Sequence, residues 1–265
     1  ASDVYKRQDD IQLLTFGGHL EMLRKMLFRI VLVIVVFTIL IFSFKEWTFQ
    51  LLLAPREWNF ATYRCIEEFV RWCGFDFRFE PYQIDLISTE LASQFMMHIS
   101  SSVYLALLGA SPYILYELFR FISPALYENE KKYSLMIVVS MYVLFSLGVL
   151  MNYYIVFPVS FRFLGTYQVD PSIRSTITLA SYISTFSTLT FVMGLVFQLP
   201  VVAFILAKLE LITSTFMVRY RRHAFIGVMV TAAIITPPDL FTLILVTVPM
   251  YLLYELCIVI IKRIE

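Results

Sequence analysis

Long uncharged stretches dominate the chain. Leu91–Tyr116 runs 26 residues without a formal charge, Tyr133–Phe161 runs 29 and Ser175–Ala207 runs 33. About 20 apolar residues in a helix cross a bilayer core roughly 30 Å thick, so the pattern predicts membrane spans. Six account for the hydrophobic runs: Lys25–Phe44, Leu91–Leu118, Tyr133–Val156, Thr188–Ala207, Ala224–Ile235 and Leu240–Ile261. The Ser/Thr-rich half before the fourth, Ser175–Ser187, reads as a surface segment. The last two spans are separated by Thr236-Pro237-Pro238-Asp239. A single helix over Ala224–Ile261 would be about 57 Å long, far more than one crossing needs. Adjacent prolines remove two helix donors and push the preceding residue away from α geometry. A hairpin of two short spans follows, with Pro237, Pro238 and Asp239 as its structural turn, and short spans imply local membrane thinning or burial in an assembly. The expected fold class is all-α: a polytopic integral membrane protein with six transmembrane helices, the last two short, and an amphipathic external cap.

Lysines and arginines set the expected orientation. Six spans put both termini on one side, and that side collects 14 of the 21 basic residues. Most of the other seven lie in one long loop, where the positive-inside rule counts least. Both termini are therefore expected in the cytoplasm. The organisation that results is an N-terminal cytoplasmic segment, 1–18, and one six-span domain, 19–265. Its connections are an external loop 45–90, a cytoplasmic loop 119–132, an external loop 157–187, a cytoplasmic loop 208–223 and an external turn 236–239. Ala1–Gln8 has no apolar period and no signal-peptide core, and is read as an assembly scar outside the fold. The external loop carries helical stretches at Gln50–Ala54 and Tyr63–Trp72 and is expected to lie along the membrane surface as a cap. Cys65 and Cys73 on one helix would be about 12 Å apart, beyond disulfide reach, so a bridge requires the helix to break between them. No repeat of 20–50 residues is visible.

Composition agrees with the pattern. Hydrophobic residues make up 59% and charged residues 15%, against about 25% charged in an ordinary soluble domain, and the mean hydropathy is +0.76. A net charge of +1 gives no argument for nucleic acid. Three cysteines at unequal spacing fit neither a zinc site nor a disulfide framework. No Walker loop, GxGxxG, HExxH or CxxC occurs, so no catalytic, metal or cofactor site is read. What remains are polar groups at membrane depth, which are costly and mark function by default: Gln198, two residues before Pro200, and Glu255 in the last span.

The connection between the second and third spans is the most informative segment. Leu118-Phe119-Arg120-Phe121-Ile122-Ser123-Pro124-Ala125-Leu126-Tyr127-Glu128-Asn129-Glu130 sets two carboxylates beside an aromatic–proline platform. Carboxylates so placed receive cations, guanidinium most directionally. This loop resembles the F-[IV]-x-P-A-L-Y-x-x-E-[RK] signature of the TatC subunit of the twin-arginine protein translocase. His19-Leu20 with Leu23-Arg24 is similar to that family's HLxELR, and Phe197-Gln198-Leu199-Pro200 to its F-[EQ]-[LVM]-P. Thr236-Pro237-Pro238-Asp239 resembles TPPD, and Pro249 to Glu255 resembles P-x-x-x-L-[YF]-E. Five motifs occur in family order on the matching spans.

The resemblance implies a receptor for the twin-arginine signal peptides of folded cargo, in the bacterial cytoplasmic (inner) membrane. It implies TatA/TatB-type single-span partners, an oligomeric complex embedded in membrane lipid, and export driven by the proton-motive force. By position, Glu130 becomes the contact for the signal arginines, with Phe121 and Pro124 shaping the loop and Glu21 and Arg24 contributed by the first motif. Gln198, Pro200 and Glu255 become contacts for partner helices. One departure stands out: the HLxELR glutamate falls on Met22, while Glu21 occupies the variable position. A one-residue shift turns a helical side chain by about 100°. The competing expectation is a proton-coupled secondary transporter of a small solute, with Glu255 as the coupling carboxylate.

Overall fold

The computed structural model describes residues 16–76, 78–122, 134–168, 170 and 176–265. Within them the fold is all-helical apart from one two-residue pairing. Helix α1 spans Phe16–Ser43, α2 Lys45–Leu53, α3 Ala61–Trp72 and α4 Ser93–Ile122. Then α5 (Ser134–Met151) continues through a π-turn at Asn152–Val156 into α6 (Phe157–Thr166). The rest of the chain forms α7 (Leu179–Val196), α8 (Leu199–Lys208), α9 (Ser214–Arg219), α10 (Arg221–Ile235) and α11 (Leu240–Ile264). Strands β1 (Leu86–Ile87) and β2 (Ile177–Thr178) pair in parallel, Leu86 opposite Ile177.

Five stretches among the described residues are long and apolar enough to cross a membrane: 20–43, 93–121, 135–166, 179–208 and 240–264. Helix is the economical answer there, because lipid offers nothing to an unpaired backbone N–H or C=O. Of the final pair only α10 is short; its 15 residues span about 22 Å, whereas α11, at 25 residues, is a full-length span. Thr236–Asp239 forms the tight link between them. Asp239 caps α11, its Oδ1 accepting from the Thr242 N–H at 2.6 Å.

The expected loop 157–187 turns out to be helical at both ends. The third span does not stop at Phe157-Pro158. Pro158 lacks the donor for the carbonyl four residues back, and that carbonyl, on Tyr154, instead accepts from the Thr62 hydroxyl of α3. With the extra residue absorbed in the π-turn, the helix carries on to Thr166. The fourth span begins at Leu179, not Thr188, because Thr178 caps it by accepting from the Ser181 N–H at 3.1 Å. Its serines and threonines conceal a buried face of Tyr182, Ile183, Phe186, Leu189 and Thr190. Composition suggested surface, but the 3.6-residue period of the large side chains decides.

That face makes the core. Phe157 meets Phe186 edge-on at 4.8 Å and Tyr182 at 5.0 Å, and Phe161 meets Tyr182 at 5.0 Å. Helices α5 and α7 cross without room for a side chain: a Cβ on Gly148 would lie 2.5 Å from the Met193 carbonyl oxygen. Close backbone approach at small residues is how helices associate where lipid competes for apolar contact.

Residues 45–72 are tied to this core by phenols that donate to backbone carbonyls. Tyr182 donates to Leu52 O at 2.9 Å, Tyr153 to Leu51 O at 3.0 Å, and Tyr63 to Pro158 O at 2.7 Å. The Arg162 guanidinium sits over the rings of Phe79, Tyr82 and Tyr63, 4.2–5.2 Å from their centroids. Burial holds the Tyr63 phenol above its ordinary pKa, so it remains a donor. Helix α3 runs unbroken from Ala61 to Trp72, with Cys65 within it and Cys73 just beyond, and both thiols are free and exposed.

Candidate functional site

Helix α1 packs along α4 more extensively than any other pair of elements. Near the N-terminal end of α1 and the C-terminal end of α4 the two leave a cavity of about 130 Å³. Met22, Lys25, Met26 and Arg29 line it from α1, following the i, i+3, i+4, i+7 stripe of one helix face. Glu117, Arg120 and Phe121 line it from α4.

Glu117 is the carboxylate of this cavity, and it is only 5% exposed. Its Oε1 accepts from the Tyr113 hydroxyl at 3.0 Å, one helical turn back. The same oxygen lies 3.5 Å from Nη1 of Arg29, whose side chain is half exposed. The Tyr113 bond is well made, whereas the ion pair is long and single. A buried charge needs a partner, and this one has a loose one.

The residues expected to form the site divide. Phe121 lines the cavity. Pro124, Glu128 and Glu130 lie outside the described residues. Glu21 does not reach the cavity; it forms an exposed i,i+4 pair with Lys25 at 2.7 Å, while Met22 holds the lining position. The helical phase argument accounts for this: one residue of shift carried the carboxylate round to solvent. Arg24 is exposed on the same helix and does not line the cavity.

Gln198 sits in the break between α7 and α8 that Pro200 enforces, and it is buried at 8% exposure. Its amide donates to the Met141 carbonyl of α5 at 3.0 Å. The amide nitrogen thus points inward and joins the break to α5. Pro200 lines a separate apolar groove of about 840 Å³ between α5, α8 and α11. Glu255 pairs with Arg221 at 2.7 Å and accepts from the Tyr251 hydroxyl at 3.0 Å. Arg221 opens α10, so this pair closes the hairpin at the end remote from Thr236–Asp239.

Sequence reasoning passed over Glu117 and Arg29, although a signal was present. Glu117 is the charge that ends the 26-residue run, four residues after Tyr113, and Arg29 lies inside the first span. Charges so placed are costly enough to require a reason.

Five apolar helices around a buried aromatic core, with ion pairs at the helix ends, define a multi-pass α-helical membrane protein. The chain belongs to the TatC family of Sec-independent protein translocase proteins, whose family model matches residues 18–249. It is 32% identical over 247 residues to the Sec-independent protein translocase protein TatC of Blattabacterium sp. subsp. Periplaneta americana, covering 92% of this chain and 93% of that one. It is 36% identical over 191 residues to TatC of Helicobacter pylori (strain J99), covering 72% and 76%. The crystal structure of a twin-arginine translocase receptor, TatC, superposes with a TM-score of 0.73 at 28% identity, covering 92% of this chain and 98% of that one. The chain is thus a multi-pass membrane component of a protein translocase.

Proposed function

We propose that this protein is the receptor and scaffold subunit of a twin-arginine translocase and carries out no catalysis. It receives the twin-arginine signal peptides of folded cargo on the cytoplasmic face of the inner membrane. It recruits TatA/TatB-type single-span partners into an oligomeric complex, and the proton-motive force drives export. The likeness to a solved twin-arginine translocase receptor along nearly the whole chain carries this reading. In it, Glu130 contacts the signal arginines, Phe121 and Pro124 shape the platform, and both termini are cytoplasmic, which makes residues 45–90 and the Thr236–Asp239 turn external. Partner helices dock along the apolar groove that Pro200 lines, with Gln198 behind it holding the shape of the break. The transporter reading loses its main support, because its coupling carboxylate, Glu255, is held by Arg221 and Tyr251.

A photo-crosslinker at position 130 tests the receptor reading. It should capture a twin-arginine peptide and not the same peptide with both arginines changed to lysine. Equal capture of the two would overturn it.

A further inference from the structure

We propose that Glu117 is a second carboxylate of the signal-peptide site, and that a guanidinium of the incoming peptide takes the place Arg29 holds in the free protein. This rests on the reading of the protein as a signal-peptide receptor and adds a residue which that reading does not contain. Two adjacent arginines on an extended peptide point to opposite faces, so one carboxylate cannot engage both in the bidentate geometry guanidinium prefers. A second is needed from another direction. The cavity wall has one: Glu117, reaching in from α4 where Met22 faces it from α1. Glu21, the nearest acidic residue on α1, is turned outward to Lys25.

The existing pair is built to be exchanged. Arg29 approaches Glu117 at 3.5 Å through one nitrogen, and its half-exposed side chain has water to return to. A well-placed guanidinium makes bonds of about 2.7–2.9 Å, often two in parallel. Tyr113 keeps its hydrogen bond to Glu117 throughout, so the carboxylate stays oriented while its cation changes. The cavity, about 130 Å³, is several times the roughly 30 Å³ share of a water molecule, the scale of a side-chain head group. Of the other cations lining it, Lys25 is already matched by Glu21, and Arg120 has an interaction of its own. The cavity wall includes Phe121, one of the residues that the receptor reading already assigns to the signal-peptide site.

The test is a double-mutant cycle on the purified full-length protein, using a synthetic signal peptide with Arg-Arg, Arg-Lys, Lys-Arg or Lys-Lys at the motif. Glu117→Gln should weaken binding of the Arg-Arg peptide about tenfold while binding one of the single-arginine peptides almost as the unmodified protein does. Met22→Glu in the Glu117→Gln background should restore much of the loss, because both positions line the same cavity. Arg29→Gln removes the competing cation and should tighten Arg-Arg binding severalfold, even if it lowers the melting temperature of the free protein. A merely structural ion pair predicts the opposite for Arg29→Gln. Equal losses for all four peptides in Glu117→Gln, or weaker binding in Arg29→Gln, would overturn the assignment. Failure of the unmodified protein to prefer Arg-Arg over Lys-Lys would overturn the receptor reading itself, and this inference with it.

Discussion

Among single residues, the contrast between neighbours is the sharpest test. Glu130→Ala should weaken signal-peptide binding at least tenfold, because charge-assisted hydrogen bonds contribute about 1.5–3 kcal/mol each. Glu128→Ala, two residues away, should do far less, and Glu21→Gln should behave like Glu128→Ala, since its carboxylate serves Lys25 on the exposed side of α1. Binding isotherms for the three variants decide this, and equal losses would undo the assignment. The Met22 departure was legible in the sequence because helical phase is a simple rotation. The Glu117–Arg29 pair was not, because it joins residues 88 positions apart whose meeting depends on how α1 lies along α4.

For the helices, hydropathy gave the existence of the spans but misplaced their ends. Proline was a good guide at Pro237-Pro238, where the chain breaks between α10 and α11, and a poor one at Pro158, where the π-turn and Thr62 absorb it. Serine and threonine misled over 179–187, where Thr178 caps a helix whose Tyr182, Ile183 and Phe186 face the core. The α5–α7 crossing gives a graded prediction. Gly148→Ala drives a methyl against the Met193 carbonyl, which cannot move without its helix, and should cost about 1–3 kcal/mol. Gly194→Ala meets the Phe145 ring instead, which can tilt, and should cost less. Thermal unfolding in detergent ranks the two, and the reverse order would show that the helices separate easily. Gln198→Leu removes the bond to Met141 and should lower stability by about 0.6–1.7 kcal/mol, the range seen for hydrogen bonds between membrane helices. Unchanged stability would return Gln198 to the role of a partner contact.

Across the whole molecule, the proposed orientation makes the Thr236–Asp239 turn external. Pro238 is exposed and does not cap α11, so Pro238→Cys, with Cys65 and Cys73 changed to serine, should react with an impermeant thiol reagent from outside the cell. Reaction only from the cytoplasmic side would reverse the topology. The π-turn at Asn152–Val156 has a consequence at this scale too. It takes up one residue more than an α-helix of the same rise, so deleting any single residue within it would let the helix close into regular geometry. Everything beyond would keep its phase, because the turn already accommodates the extra residue. Phe157 and Phe161 would stay in the aromatic core and Arg162 over its three rings. Removing a residue between Pro158 and Phe161, in the regular helix beyond the turn, would instead rotate Phe161 and Arg162 by about 100°, and with an almost unchanged hydropathy profile residues 45–72 would lose part of the surface they rest on.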